Sequence, residues 1–382
     1  MFIDYEVLKI LWWIILGMVL IVYAATSGFD AGITIILPFL KTEEKRRVLL
    51  NTSAPVWDGN QTWIIFAGGG LFIAWPVVYA TAFSGLYFLM FFILWALFLR
   101  PPGYDYRGKL PSYRWKRFWD WALFTSGIVP VFVFGLAFGN CLIGFPFHFD
   151  PTTFRDYYTG GLGSLFNGFS ILSGIAAVLM VIMHGAAYMQ RRTEGELREL
   201  GHKLHYIFTI SLLITFTFAG YLVAYHLNGY ILVASPKDAT LYPLNSIVTQ
   251  KVGAWIDSYS VYPWKIFGPI AAYLGMFFAL WANYMRWYAV CFWSNVLAIG
   301  GMIGTIGFTL FPFIMPSMTN PDQSLTVWNS TSSQYALDIM LYIGVILFIV
   351  ILSYKTYTYY TLWSKKKTLT IEDINKDTHG FY

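Results

Sequence analysis

Residues 59–99 read GNQTWIIFAGGGLFIAWPVVYATAFSGLYFLMFFILWALFL, with no Asp, Glu, Lys or Arg among them. A single helix of that length would run roughly 60 Å, about twice the hydrocarbon thickness of a bilayer. Pro76, directly after Trp75, offers a turn, so the stretch reads as two membrane spans, 59–75 and 77–99. Working outward, further apolar runs lie at 10–39, 118–140, 163–190, 204–227, 263–285, 288–312 and 336–362. The sequence therefore predicts an all-α polytopic membrane protein with nine transmembrane helices.

Charge placement tests the split at Pro76. With nine spans, 20 of the 25 Lys and Arg residues fall on one face, in the segments 41–47, 100–117, 191–203, 286 and 355–376. Only Lys9, Arg155, Lys237, Lys251 and Lys265 fall on the other. Merging spans two and three worsens the division to 17 against 8. Basic residues accumulate on the cytoplasmic side, so the nine-span reading puts the N-terminus outside and the C-terminus inside. Composition agrees: 57% of residues are hydrophobic and 12% charged, against roughly a quarter charged in soluble proteins. Trp and Tyr near the ends of the runs (Trp12, Trp13, Trp75, Trp287, Tyr288) suit the headgroup level.

The first run is long and is preceded by Asp4 and Glu6, which predicts a retained span and not a cleaved signal. The two cysteines, Cys141 and Cys291, fall near opposite faces, which argues against a disulfide. The net charge of +5 follows from topology and is no nucleic-acid signal. The chain reads as a single membrane domain, 1–382, with an outer loop at about 228–262 that packs over the outer face and a cytoplasmic tail at about 364–382.

Few carboxylates lie in or beside the apolar runs. Asp30 falls in the first span, Asp58 opens the second within Trp57-Asp58-Gly59-Asn60-Gln61-Thr62-Trp63, and Asp105 lies in the following basic loop. All three belong to one side of the bilayer at stepped depths. Such groups are costly in a membrane and tend to be paired, water-lined or functional. With Asn60, Gln61 and Trp63 nearby, they could pass protons inward from the cytoplasm. Simpler roles compete: an N-cap for Asp58, a surface ion pair with Arg100, Arg107 or Lys109 for Asp105, and a hydrogen bond to an opened backbone turn between Gly28 and Gly32 for Asp30. Asp120 and Asp338 read as caps or interfacial groups. Of the six histidines, only His184 and His205 could face each other as haem ligands, and a lone pair is poor support for one. The glycines at 68–70 and at 300, 301, 304 and 307 read as close-packing positions.

At these residues the chain resembles subunit II of cytochrome bd quinol oxidases. The resemblance rests on Gly28-Phe29-Asp30-Ala31-Gly32, on Trp57-Asp58-Gly59-Asn60-Gln61 with Trp63, and on Arg100-Pro101 with Gly103-Tyr104-Asp105-Tyr106-Arg107. It continues through Trp119-Asp120-Trp121, Phe311-Pro312-Phe313-Ile314-Met315-Pro316-Ser317, Ser324-Leu325-Thr326, Thr331-Ser332-Ser333-Gln334 and Thr370-Ile371-Glu372-Asp373-Ile374. The series runs in order along essentially the whole chain.

The resemblance implies two four-helix bundles plus one peripheral helix, paired pseudo-symmetrically with a haem-bearing subunit I in a bacterial cytoplasmic membrane. Haems b and d and the quinol site would belong to subunit I, leaving this chain without cofactor or metal, although some members hold a structural quinone in a groove of this subunit. The complex would oxidise quinol and reduce dioxygen to water, building a proton gradient without pumping. Positions matching Asp58 and Asp105 would line a proton route from the cytoplasm. The pattern leaves room for a small single-span accessory subunit. One departure stands out: Ser27 occupies the position where the family commonly has an acid. Without the motif series, a proton-coupled transporter would be the alternative, with a self-contained dihaem cytochrome b behind it.

Overall fold

In the computed structural model, which describes residues 3–235, 243–244, 246–365 and 368–376, the apolar stretch at 59–99 does break at Trp75. Helix α1 (Tyr5–Ile36) leads through a 3-10 turn to α2 (Glu43–Ser53), and α3 (Trp57–Ala74) follows. Trp75 leaves helical geometry at φ −133° and ψ 72°, and α4 (Pro76–Gly85) begins with the proline at its first position. Proline disfavours helical geometry in the residue before it and needs no amide partner at a helix start, so the break belongs there. Helices α3 and α4 are bent by 120°.

The return crossing differs from the expected 77–99. Tyr158, in an outer hairpin, donates from its hydroxyl to the Thr81 carbonyl at 3.0 Å and packs so closely on Gly85 that a Cβ there would clash. Helix α4 is therefore held at the end away from the basic clusters. The crossing itself is made by α5 (Tyr87–Phe98) continued by α6 (Arg100–Tyr106), a 20-residue run.

Six further long helices complete the chain. They are α7 (Tyr113–Ile143), α8 (Gly168–Arg192), α9 (Gly195–Tyr225), α11 (Phe267–Tyr284), α12 (Tyr288–Leu310) and α13 (Gln334–Lys365), with the short α10 (Ala254–Val261) between α9 and α11 and α14 (Ile371–Lys376) at the end. Among the described residues, eight helical runs are long and apolar enough to cross a membrane, and the bent α3–α4 pair brings the number to nine. Helix α8 starts at Gly168 and not at 163, because 162–165 forms a 3-10 turn and Asn167 caps α8 by accepting from the Ser170 amide at 2.9 Å.

Helices α1, α3, α5 and α7 pack as one bundle and α8, α9, α11 and α12 as a second, joined mainly where α1 and α7 meet α8. Helix α13 lies outside both, against α1 and α3. The joint is tight because it is glycine on glycine: a Cβ on Gly32 would sit 2.1 Å from the Val181 carbonyl oxygen and 2.9 Å from Gly185 Cα. Gly301 plays the same part between α12 and α11, where a Cβ would fall 2.1 Å from the Ala272 nitrogen. The expected packing role does not extend to Gly68 and Gly69 of α3 or Gly307 of α12, which have no neighbour within 4 Å of such an atom. Ile207, Ile214, Ile346 and Ile349 stand exposed, as lipid or a partner helix requires.

Three small antiparallel hairpins close the end opposite the basic clusters: β1 (Phe147–Phe149) with β2 (Asp156–Tyr158), β3 (Asn228–Ala234) with β4 (Ile247–Val252), and β5 (Phe313–Met315) with β6 (Leu325–Thr326). The β3–β4 hairpin and α10 lie in the segment between α9 and α11 and pack over that end. Tyr230 donates to the Ile143 carbonyl at 2.9 Å and the Trp255 indole to the Leu142 carbonyl at 3.0 Å. Pro236, Lys237, Lys366, Lys367 and His379 lie outside the described residues. Both cysteines are free thiols.

Candidate functional site

Near the basic end, the start of α3 and the junction of α5 with α6 bring polar side chains against α1. Asp30 is completely buried. Arg100 Nη1 meets its Oδ1 at 3.0 Å, and Asn60 Nδ2 donates to Oδ2 at 3.1 Å. Ser27 Oγ approaches Oδ1 at 3.5 Å and itself accepts from Gln61 Nε2 at 2.9 Å. Helix α1 runs unbroken past this point, so Asp30 does not serve an opened backbone turn. An isolated carboxylate would cost several kcal/mol in lipid, and the guanidinium partner is what makes burial tolerable.

Asn60 links this carboxylate to the peripheral helix. Its Nδ2 also donates to the Thr26 carbonyl at 3.0 Å, while its Oδ1 accepts from Lys355 Nζ at 3.1 Å and from the Tyr359 hydroxyl at 2.8 Å. In the sequence Lys355 is marked only by its basic charge, and Arg100 reads as a motif residue and a surface partner for Asp105, not as the partner of Asp30. A lone lysine inside the last apolar run was the available signal for the first. The second falls at the edge of an apolar run, where nothing marks it as turned inward.

Asp58 is exposed at the second position of α3, behind an N-cap at Val56, and makes no cap hydrogen bond. The cap reading is thereby corrected: Asp58 only adds favourable charge to the first turn. Asp105 is exposed on α6 and has no ion pair among the described residues. The expected surface pairs do not form: Arg100 is committed to Asp30 and Arg107 to Asp120 and Glu43, and Lys109 makes no ion pair among the described residues. Trp57 stacks on Tyr104 at 5.1 Å with 2° between the rings, which fixes the start of α3 to α6. Trp63 packs among Val19, Ala67 and Phe348, and its indole nitrogen has no hydrogen bond, so it fills space and carries no polar link.

Asp120 is likewise no cap. It is buried on α7 and receives Arg46 at 3.0 Å and Arg107 at 2.7 Å. Arg107 reaches on to Glu43 in bidentate fashion at 3.0 and 2.9 Å, and Lys116 joins at 3.2 Å. Partial burial alone would raise the Glu43 carboxyl, but Arg107 and Lys116 hold it below its usual range. This network ties α2, α6 and α7 together just beyond the Asp30 cluster. Asp338 is buried near the start of α13 with Oδ1 unpartnered, whereas Ser333 Oγ caps that helix by accepting from the Ala336 amide.

His184 Nε2 donates to the Ala25 carbonyl at 2.8 Å, and its ring stacks on Phe292 at 4.7 Å. His205 Nε2 lies 3.1 Å from Asn295 Nδ2 and 3.4 Å from Cys291 Sγ. Each Nε2 is thus engaged by protein groups, with Nδ1 unpartnered in both rings.

Comparison with known proteins places this arrangement. The family model described as cytochrome bd terminal oxidase subunit II matches residues 8–362. Over the full length of both chains, the sequence is 42% identical to cytochrome bd-I ubiquinol oxidase subunit 2 of Escherichia coli K12. It is 39% identical, also over both full lengths, to a probable cytochrome oxidase subunit 2 of Haemophilus influenzae. In three dimensions it resembles a chain of the bd oxidase from Geobacillus thermodenitrificans with TM-score 0.65 at 14% identity, covering 92% of this chain and 98% of that one, a likeness of fold. A nine-crossing helical chain with this full-length match is a subunit of a membrane-bound respiratory oxidase, and it belongs to the cytochrome bd terminal oxidase subunit II family.

Proposed function

We propose that this chain is the haem-free subunit II of a quinol:oxygen oxidoreductase in the bacterial cytoplasmic membrane, and that it supplies protons from the cytoplasm for the reduction of dioxygen. On this reading haems b and d sit in subunit I, which the chain supports. Each electron passed to dioxygen is matched by one cytoplasmic proton, while the protons of quinol leave on the outer side. The oxidation thereby builds a gradient without a pump.

The observation that carries the proposal is the polar ladder at the basic end. Exposed Asp58 stands two residues before buried Asn60, which donates to buried Asp30. A low-dielectric interior conducts protons only along titratable groups, their hydrogen-bond partners and ordered water, and this ladder is built from such groups. Asp105, exposed beside the Trp57–Tyr104 stack, is the collecting carboxylate at the cytoplasmic mouth. Gln61 and Ser27 support the Asp30 end from the side; Ser27 keeps that end at a single negative charge.

Asp58→Asn tests the reading, because the amide keeps size and polarity, costs the helix at most a few tenths to about 1 kcal/mol of dipole interaction, and holds no titratable proton. The assembled complex should carry normal haem while quinol oxidation and oxygen uptake slow about tenfold or more. That is less than the roughly 100-fold of a group touching the reacting atoms, since water can bridge part of a relay. Wild-type turnover in a correctly assembled Asp58→Asn complex would overturn the route.

A further inference from the structure

The peripheral helix α13 turns one cation inward. Its Val345, Ile346, Ile349 and Val350 are exposed, whereas Lys355, within the same membrane-crossing run, is buried. Burying an ammonium at membrane depth is costly, so its surroundings should show what offsets it. Lys355 Nζ donates to the Asn60 amide oxygen at 3.1 Å, and among the described residues it forms no ion pair. Asp30, the buried carboxylate of this cluster, is already matched by Arg100 at 3.0 Å. Two buried cations thus flank one buried carboxylate, and only Arg100 is paired with it. Arginine does not release its proton under physiological conditions; lysine does when it is desolvated.

The two carboxylates whose charges act on Lys355 are Asp30 from α1 and Asp58 from α3, the helices on which α13 packs. Tyr359 on its own helix shares the Asn60 oxygen, and Arg100 stands beyond Asp30. Between Asp58 and Asn60 the chain has Gly59, where a Cβ would lie 2.5 Å from Lys355 Nζ. Gly59 thus lets the flexible lysine tail lie close against the α3 backbone, between the exposed carboxylate and the buried one.

Resting on the proton route above, we propose that Lys355 is its mobile carrier: the neutral amine takes a proton from the Asp58 carboxyl and delivers it to the Asp30–Asn60 cluster. In the first transfer the Asp58 O–H bond breaks as a Lys355 N–H bond forms, leaving carboxylate and ammonium. In the second the ammonium gives its proton to the Asp30 carboxylate or to water beside it, and the amine is restored. Asn60 holds the tail in line without itself carrying the proton.

Three substitutions in the intact complex separate carrying from mere charge. Lys355→Met removes the proton site, Lys355→Arg keeps a charge that does not leave, and Lys355→His restores a releasable proton with an ordinary pKa of about 6.5 in place of about 10.4. With haem content as the check on assembly, Met and Arg variants should both slow oxygen uptake about tenfold or more. The His variant should keep substantial turnover with its pH profile moved to the acid side. Wild-type turnover in Lys355→Arg would make Lys355 a fixed cation and overturn the proposal, as would wild-type turnover in Lys355→Met. If Lys355→Met fails to assemble, the contrast between Arg and His decides. Asp58→Asn run alongside separates the two claims: slow Asp58→Asn with fast Lys355→Met removes Lys355 and leaves the route, whereas wild-type rates in both remove both.

Discussion

Removing the charge of Asp120 would leave two buried guanidinium groups, Arg46 and Arg107, without the carboxylate they share. Breaking a buried pair on one side typically costs about 3–5 kcal/mol. Asp120→Asn should fall near the low end, because Glu43 still holds Arg107; a thermal melt of the purified complex reads the loss. The same network sets an acid limit. Glu43 has its carboxyl held below the ordinary value of about 4.3, so its stabilisation is complete above that value and lost as pH falls through the depressed one. Melting temperature should therefore drop below about pH 4, less steeply in Glu43→Gln, and an identical slope in both proteins would remove Glu43 from the account. His184 and His205 each spend Nε2 on protein partners, so His184→Ala and His205→Ala are expected to leave the haem of the assembled complex unchanged. Stoichiometric haem loss in either would overturn the assignment of all haem to subunit I. Asp30, Asp58, Asn60 and Gln61 were legible in the sequence because ionisable and amide groups are rare in apolar runs. Their partners were not. Arg100 lies 70 positions from Asp30 and Lys355 lies 295 from Asn60, and no local pattern reports which side of a helix meets which neighbour at such separations.

Helices meet here where glycine lets them, and which glycines do so depends on the face each presents. Gly32 and Gly185 oppose each other across the α1–α8 crossing with no room for even a methyl group. Gly32→Leu should thus overpack the joint between the bundles by about 3 kcal/mol or more, seen as loss of assembled complex or a lowered melting temperature. Gly69 is exposed on α3 with open space at its Cβ, so Gly69→Ala should be neutral or gain up to about 1 kcal/mol of helix propensity. A strong loss there would instead show that another chain packs on that face. Composition marks both sets of glycines alike, and only the crossing geometry separates them. The break at Pro76 was legible because proline acts locally. The return leg was misplaced by some ten residues, since α4 is as apolar as a crossing helix and tertiary contacts, that of Tyr158 with Thr81 among them, hold it at the end away from the basic clusters.

Nine crossings, being odd in number, predict termini on opposite sides of the membrane. The basic residues predict which side is which, and three of the five exceptions to their segregation, Lys9, Lys251 and Lys265, have local explanations. At the sparsely charged end, Lys9 is buried and donates to the Trp328 carbonyl at 2.9 Å. Lys265 is buried and donates to the Phe311 carbonyl at 2.8 Å and to Ser258 Oγ at 2.9 Å. Lys251 is paired with Asp257 at 2.8 Å. Lys9 and Lys265 thus serve as clamps on the outer loops, and the Lys251 charge is matched by its neighbour. The bias counts Lys and Arg near the spans whether or not they are paired, so these few residues do not outweigh the 20 basic residues at the end that carries the clusters at 41–47 and 100–117. A reporter fused after Tyr382 should be cytoplasmic, and a tag placed before Phe2 should be reachable from outside in intact cells. Replacing Lys9 by Met should leave that orientation unchanged while loosening the Trp328 segment, seen as faster proteolysis from the outer side. Both termini on one side would reduce the crossings to an even number, most simply by making α3–α4 a re-entrant pair. That would put the start of α3 and α6 on opposite faces, against the Trp57–Tyr104 stack that holds them at one end, and no single cytoplasmic proton route could then pass both Asp58 and Asp105.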